Sequence, residues 1–129
     1  MEKKLSLTDA EWSVMEQLWA DPGSTGRALT AALEQKTGWS RSTTLTLLRR
    51  LAEKGAVRYE DSGSIRTFFP NITREHAAVR QTRDLLGRVY HGSLSMLVSA
   101  MTREETLPQE EIDELYALLN EMEAKKRRD

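Results

Sequence analysis

Residues 39–55 read WSRSTTLTLLRRLAEKG, and this stretch decides the fold. Ser40 is a favourable N-cap for a helix that begins at Arg41 and reaches Lys54, and Gly55 ends it. On a helical wheel one broad face collects the apolar residues and one threonine: Thr44, Leu45, Leu47, Leu48, Leu51 and Ala52. The other face carries hydroxyl and charged side chains: Ser42, Thr43, Thr46, Arg49, Arg50 and Glu53. The stretch therefore predicts a helix over 41–54 with one buried and one polar face.

Two further helices are predicted upstream. Thr8-Asp9-Ala10-Glu11 has the pattern of a capping box, and it precedes apolar residues at helical spacing: Trp12, Val14, Met15, Leu18 and Trp19. Asp21-Pro22-Gly23-Ser24 ends this helix. A short second helix is predicted from about Gly26 to Lys36, stopped by Gly38, with a buried stripe of Ala28, Leu29, Ala32 and Leu33.

A β-hairpin is predicted downstream of the third helix. Residues 56–60 and 65–69 have strand-like sequences, residues 61–64 form the turn, and Pro70 ends the second strand. Because two strands alone are only marginally stable, the hairpin must pack on the helices. Three helices and a hairpin predict a mainly α fold of the winged helix-turn-helix type over residues 5–72.

Two more helices are predicted after the hairpin, one from Thr73 to about Met101 and one that begins near Pro108. They are too long and too apolar to be covered by the small preceding core, and a second copy of the chain is one partner able to bury them. Residues 73–124 are thus predicted to be a dimerisation region, and the basic stretch 125–129 a solvated, frayed end. The predicted dimerisation residues are Leu86, Val89, Tyr90, Leu94, Leu97, Val98, Ile112, Leu115, Leu118, Leu119 and Met122.

Composition narrows the function classes. The 129 residues include 19 Lys and Arg, 20 Asp and Glu, and no cysteine. The absence of cysteine excludes disulfides, thiolate metal sites and thiol catalysis. No apolar run approaches the roughly 18 residues of a membrane span, and the first residues lack the apolar core of a signal peptide. We expect a cytoplasmic protein without membrane insertion.

Charge is segregated along the chain even though the net charge is only −1. Between Lys36 and Arg66 there are seven basic residues (Lys36, Arg41, Arg49, Arg50, Lys54, Arg58 and Arg66) against three acidic ones (Glu53, Glu60 and Asp61). Residues 104–123 hold eight acids and no base. The bulk charge therefore does not indicate a nucleic-acid-binding protein. Only local segregation of charge could, and here a basic patch is followed by an acidic helix.

The polar face of the third helix suits recognition of DNA. Small hydroxyl side chains allow close approach to base edges, and arginine can bind guanine bidentately or grip phosphate. Arg58 and Arg66 on the hairpin can reach the neighbouring backbone. The candidate DNA-binding residues are Arg41, Ser42, Thr43, Thr46, Arg49, Arg50, Arg58 and Arg66. The alternative reading is structural: the hydroxyls cap a helix, and Arg49 pairs with Glu53 as ordinary surface charge.

Several stretches together resemble the BlaI/MecI/CopY-type penicillinase-repressor family of winged-helix transcriptional regulators. They are residues 7–15 with Leu18-Trp19, residues 39–51 with Lys54-Gly55, the hairpin, His91-Gly92-Ser93 with Leu97-Val98, and Leu107 with residues 111–115. The resemblance covers about residues 5–122. It implies a homodimeric repressor that binds a palindromic double-stranded operator, with Ser42, Thr43, Thr46 and Arg50 facing DNA and Arg66 on the wing.

The sequence departs from that family pattern in three ways. Relatives often have a basic residue in place of Leu45, so their base preference does not transfer to this chain. Copper-responsive members use C-terminal cysteines, which are absent here. Beta-lactam-responsive members are cut by a membrane sensor protease at an Asn-Phe bond. The matching positions, Ala100 and Met101, are the candidate proteolytic-inactivation site although their residue types differ.

Three other classes of function make different predictions. A winged-helix module that binds protein instead of DNA predicts no operator selectivity, and a MarR-like ligand-responsive repressor needs a ligand cavity. An enzyme is disfavoured because no spacing suggests a catalytic triad and no phosphate-binding glycine loop is present. His76 and His91 lie 15 residues apart, too far to share a metal ion. We therefore predict no cofactor and no metal site.

Overall fold

The computed structural model describes residues 6–128, so Leu5, where the first predicted domain begins, and Asp129 of the predicted tail lie outside the described residues. The chain forms two compact units that divide between Leu85 and Leu86. The domain ranges predicted from the sequence, 5–72 and 73–124, remain a prediction.

The first unit is a winged helix. Its elements are α1 (Asp9–Ala20), β1 (Ser24–Thr25), α2 (Gly26–Thr37), α3 (Arg41–Glu53), β2 (Val57–Ser62), β3 (Ile65–Pro70) and the first part of α4 (Arg74–Tyr90). The strands form an antiparallel sheet in the order β1-β3-β2. The predicted three helices and hairpin are confirmed, and β1 is an addition that the sequence did not predict.

The three helices begin where the sequence predicts. Thr8 accepts a hydrogen bond from the Glu11 amide while the Glu11 side chain accepts one from the Thr8 amide, which completes the capping box. Thr25 caps α2, and Ser40 caps α3. Gly38 ends α2 with φ +77°, a backbone conformation that costs glycine little.

The core of the first unit lies between α1, α2, α3 and the sheet. Its buried residues are Leu7, Val14, Met15, Leu18, Leu29, Leu33, Leu47, Leu48, Leu51, Ala56, Val57 and Phe68. The partly buried Trp12, Trp19 and Trp39 pack against it, and the Trp19 indole donates a 2.8 Å hydrogen bond to the Ile72 carbonyl. Two residues predicted to be buried are not: Ala28 is exposed, and Leu45 is 39% exposed.

A buried ion pair ties the start of α1 to the end of α3. Lys54 Nζ lies 2.6 Å from Glu11 Oε1, and the Glu11 side chain is only 1% exposed. Burial by itself raises the pKa of this carboxyl, but hydrogen bonds from Lys54 and Thr8 outweigh it and hold the pKa below its ordinary value. Glu11 is therefore charged at neutral pH.

The second unit contains the end of α4, α5 (Leu94–Glu104) and α6 (Gln109–Arg128). The predicted single helix from Thr73 to Met101 is wrong, because His91 and Gly92 adopt left-handed backbone angles of +53° and +83°. Ser93 then caps α5. The predicted frayed tail is also wrong, since residues 125–128 continue α6 as regular helix. Across residues 6–128, none of the helices has the length and apolar content needed to cross a membrane.

Candidate functional site

Helix α3 presents most of its predicted polar face to solvent. Arg41, Ser42, Thr43, Arg49 and Arg50 are exposed and Thr46 is half-buried. The opposite face is fixed in the core by four buried residues: Thr44, Leu47, Leu48 and Leu51. The buried face of α3 therefore sets the direction in which the hydroxyl and guanidinium groups point.

The hydroxyl groups at the start of α3 form a cluster around the N-cap. Ser40 Oγ accepts a hydrogen bond from the Thr43 amide at 3.2 Å, and it lies 3.2 Å from Ser42 Oγ and 3.0 Å from Thr43 Oγ1. The hydroxyl that caps α3 is therefore that of Ser40. The hydroxyls of Ser42 and Thr43 lie within hydrogen-bonding distance of Ser40 Oγ. Because a hydroxyl has two lone pairs and one proton, each can still form a further hydrogen bond.

Both arginines of the wing are paired with acidic residues of the same hairpin. Arg66 binds Asp61 through two hydrogen bonds of 2.7 and 3.1 Å, and its guanidinium lies 3.9 Å from the centre of the Tyr59 ring. Arg58 pairs with Glu60 at 2.8 Å. The hydrogen bond from Arg66 holds the pKa of Asp61 below its ordinary value, and Asp61 raises the pKa of Arg66. The wing is therefore nearer to electrical neutrality than its arginines suggest.

An open depression of about 580 Å³ separates the tip of the wing from α2 and α3. Three guanidinium-bearing residues line it, Arg27, Arg41 and Arg66. The sequence analysis did not include Arg27 because this residue lies at the start of α2, nine residues before the basic patch begins at Lys36. Only the fold places it beside Arg41 and Arg66, so no signal in the sequence alone would have found it.

A second depression, of about 490 Å³, lies between α3 and the hairpin. Arg49, Tyr59 and Arg66 line it, and Leu45 lines both depressions. Leu45, like Arg66 and Phe68, borders both depressions, so it lies at the surface of α3 and not in the core. The structure brings Arg41, Arg49 and Arg66 to these two depressions, whereas the other predicted DNA-binding residues line neither: Ser42, Thr43, Thr46, Arg50 and Arg58.

The second unit presents apolar side chains on α5 and α6. Exposed members of the predicted dimerisation set are Val89, Leu94, Leu118, Leu119 and Met122, and half-buried members are Leu86, Tyr90, Leu97, Val98, Ile112 and Leu115. An apolar groove of about 780 Å³ runs between α5 and α6, lined by residues that include Leu94, Val98, Leu115, Leu118 and Lys125. Ala100 and Met101 lie within α5, where Met101 is 55% exposed.

A three-helix fold with a hairpin wing and an exposed basic helix defines a winged-helix protein of the DNA-binding class. The chain belongs to the penicillinase repressor family, whose model matches residues 7–121. This confirms the resemblance and the predicted fold class. The family is one of transcriptional repressors and not of enzymes, which agrees with the prediction of no catalytic activity.

Two similar repressors match more than nine-tenths of the chain, and a similar solved structure matches 59% of it. The penicillinase repressor of Bacillus licheniformis is 31% identical over 98% of this chain and 99% of its own length. The methicillin resistance regulatory protein MecI of Staphylococcus aureus strain N315 is 26% identical over 92% of this chain and 96% of its own length. A solution structure of the B. licheniformis BlaI monomeric form in complex with the blaP half-operator has 30% identity and a TM-score of 0.52, and it covers 59% of this chain and 93% of that one.

Proposed function

We propose that this DNA-binding repressor acts as a homodimer on a palindromic operator, with α3 in the major groove of each half-site. The observation that carries the proposal is the exposed polar face of α3, fixed from behind by its buried leucines. The similar BlaI bound to a half-operator supports it, and so does the family match.

The exposed residues divide into two roles. Ser42, Thr46 and Arg50 on the outer face of α3 contact base edges, where arginine recognises guanine bidentately. Arg27, Arg41 and Arg66 contact phosphates, because they line a depression beside the wing that the negatively charged backbone can enter. Phosphate contacts release counterions, so operator affinity falls as salt rises.

Dimerisation through the second unit would give the protein a two-fold axis, and a palindromic operator has the matching symmetry. The exposed apolar residues of α5 and α6 favour a self-interface, since a second copy would remove them from water. Two copies of α3 then read half-sites about 34 Å apart or a small multiple of that spacing.

The test is fluorescence anisotropy with DNA that has been selected for binding from a random pool, and with scrambled DNA, over a salt series. Arg50→Ala should weaken binding to the selected DNA by about 1–3 kcal/mol if Arg50 contacts a base. Arg83→Ala, which removes an exposed arginine of α4, is the matched control and should change little. Equal binding of selected and scrambled DNA would refute sequence-specific repression, and an unchanged Kd for Arg50→Ala would refute the role of that residue.

We further propose that cleavage between Ala100 and Met101 by a membrane sensor protease inactivates the repressor. The cut would remove the end of α5 and all of α6, and with them much of the apolar face that the dimer needs. Mass spectrometry of the chain recovered from induced cells should find fragments that end at Ala100. An intact chain after full induction would rule this route out.

A further inference from the structure

We propose that the two copies pair their α6 helices antiparallel, with the crossing point near Leu118 and with Glu111 of each copy beside Lys125 of the other. The inference rests on the proposed homodimer and adds the direction, the register and a reciprocal pair of charges. In this arrangement α6 of a second copy of the chain covers the apolar face of α6.

The apolar face of α6 has the spacing of a helix-pairing stripe. Ile112, Leu115, Leu119 and Met122 follow one another at intervals of three, four and three residues. Leu119 and Met122 are 55% and 59% exposed, and no residue of α6 is buried. Ile112 and Leu115 are half-buried, so the second unit covers the start of the stripe in part and leaves Leu119 and Met122 largely exposed.

Glu111, Leu118 and Lys125 flank that stripe on one side. They are spaced seven residues apart, so they share one edge of the helix. Lys125 and Leu118 both line the apolar groove beside α5, and Leu118 is 61% exposed. In an antiparallel pair this edge faces its own copy, which sets Leu118 against Leu118 and Glu111 against Lys125 twice.

Charge along α6 decides between the two directions. The first turns carry Glu110, Glu111, Asp113 and Glu114, and the last turn carries Lys125, Lys126, Arg127 and Arg128. Parallel pairing would place acids beside acids and bases beside bases, whereas antiparallel pairing places opposite charges together at both ends. The internal Arg127–Glu123 contact is long, 3.8 Å, and both side chains are more than two-thirds exposed, so it engages the basic end only weakly.

The same charge order also stabilises each helix through its own dipole, and a control separates the two effects. Glu110 lies in the same first turn as Glu111 but on the side of α6 away from the apolar stripe. Glu110→Lys therefore disturbs the dipole about as much as Glu111→Lys but leaves the proposed pair intact.

Disulfide trapping tests the direction, because the chain has no cysteine of its own. Leu118→Cys should cross-link to itself under mild oxidation. Glu111→Cys alone should not, because 14 residues of helix separate it from its copy by about 21 Å, beyond the reach of a disulfide. A mixture of Glu111→Cys and Lys125→Cys chains should cross-link. Glu111→Cys cross-linking to itself would mean parallel helices and would overturn the proposal, and so would a dimer that none of these variants traps.

Sedimentation of the full chain separates this inference from the homodimer itself. A monomer at micromolar concentration refutes both, whereas a dimer without the Glu111–Lys125 cross-link refutes only the helix pairing. Glu111→Lys and Lys125→Glu should each weaken the dimer several-fold, and the double variant should recover it. Glu110→Lys should leave the dimer constant close to that of the wild type, and equal weakening by Glu110→Lys and Glu111→Lys would overturn the pair.

Discussion

The two units of the molecule differ in where their side chains find partners. In the first unit twelve apolar residues close a core within the chain, and buried or surface charges such as Glu11, Asp61 and Arg66 are paired within it. In α5 and α6 no residue is buried. The contrast teaches that the winged helix is specified by its own residues, whereas the apolar faces of α5 and α6 are specified for something outside this chain.

The largest expected effects come from shortening one apolar side chain in each unit. Leu51→Ala removes a fully buried side chain and should destabilise the winged helix by about 2–5 kcal/mol at every protein concentration. Leu119→Ala removes an exposed side chain. It should lower the unfolding midpoint only of a transition whose midpoint depends on protein concentration, as expected when association is weakened. Urea unfolding at two protein concentrations measures both. Equal, concentration-independent losses would mean that the two units are stabilised in the same way.

The buried ion pair of the first unit predicts a dependence on pH. Because the folded pKa of Glu11 is lowered, its contribution is present above the unfolded pKa and is lost as the pH falls through the folded pKa. Glu11→Gln should cost about 1–3 kcal/mol at pH 7, since Lys54 loses its buried charged partner, and should flatten the loss of stability between neutral and acidic pH. Unfolding midpoints of both proteins along a pH series provide the measurement. Parallel pH curves would show that Glu11 is not the group responsible.

The phosphate role of the first unit's surface predicts changes in salt dependence. Arg27→Ala should lower the slope of log Kd against log salt by about 1 if Arg27 contacts a phosphate. Arg83→Ala again serves as the control outside the depression. An unchanged slope for Arg27→Ala would show that Arg27 does not contact a phosphate.

The smallest expected effect concerns the internal pairing of the wing. Asp61→Asn releases Arg66 from its bidentate partner, so DNA binding should tighten slightly and become steeper in salt. Glu60→Gln, which releases Arg58, is the matched comparison because Arg58 lines neither depression beside α3. Equal gains from both variants would indicate a general charge effect and no specific role for Arg66.

Local signals in the sequence were sufficient for most of the winged helix. Thr8, Ser40 and Gly38 mark helix ends through hydrogen bonds and backbone conformation that involve only neighbouring residues. The buried leucines of α3 follow from helical periodicity, which also placed Arg49 and Arg50 correctly on its exposed face.

What the sequence did not provide depends on tertiary context. Strand β1 has two residues and no periodicity, and it exists only because β3 lies beside it. The break at His91 and Gly92 interrupts an otherwise continuous apolar pattern. Leu45 is apolar yet lies at the edge of α3 that faces the wing. Arg27 lies beside Arg41 and Arg66 only because the chain turns between α2 and α3.

The short strand β1 has a consequence for how a ligand meets this surface. Thr25 pairs with Thr67 of the wing through its backbone, while its side chain caps α2, the helix that carries Arg27. One residue thus fastens the hairpin and the helix to each other before any ligand arrives. A polyanion that binds between them would meet a surface that is already formed, so the protein would lose little conformational entropy on binding.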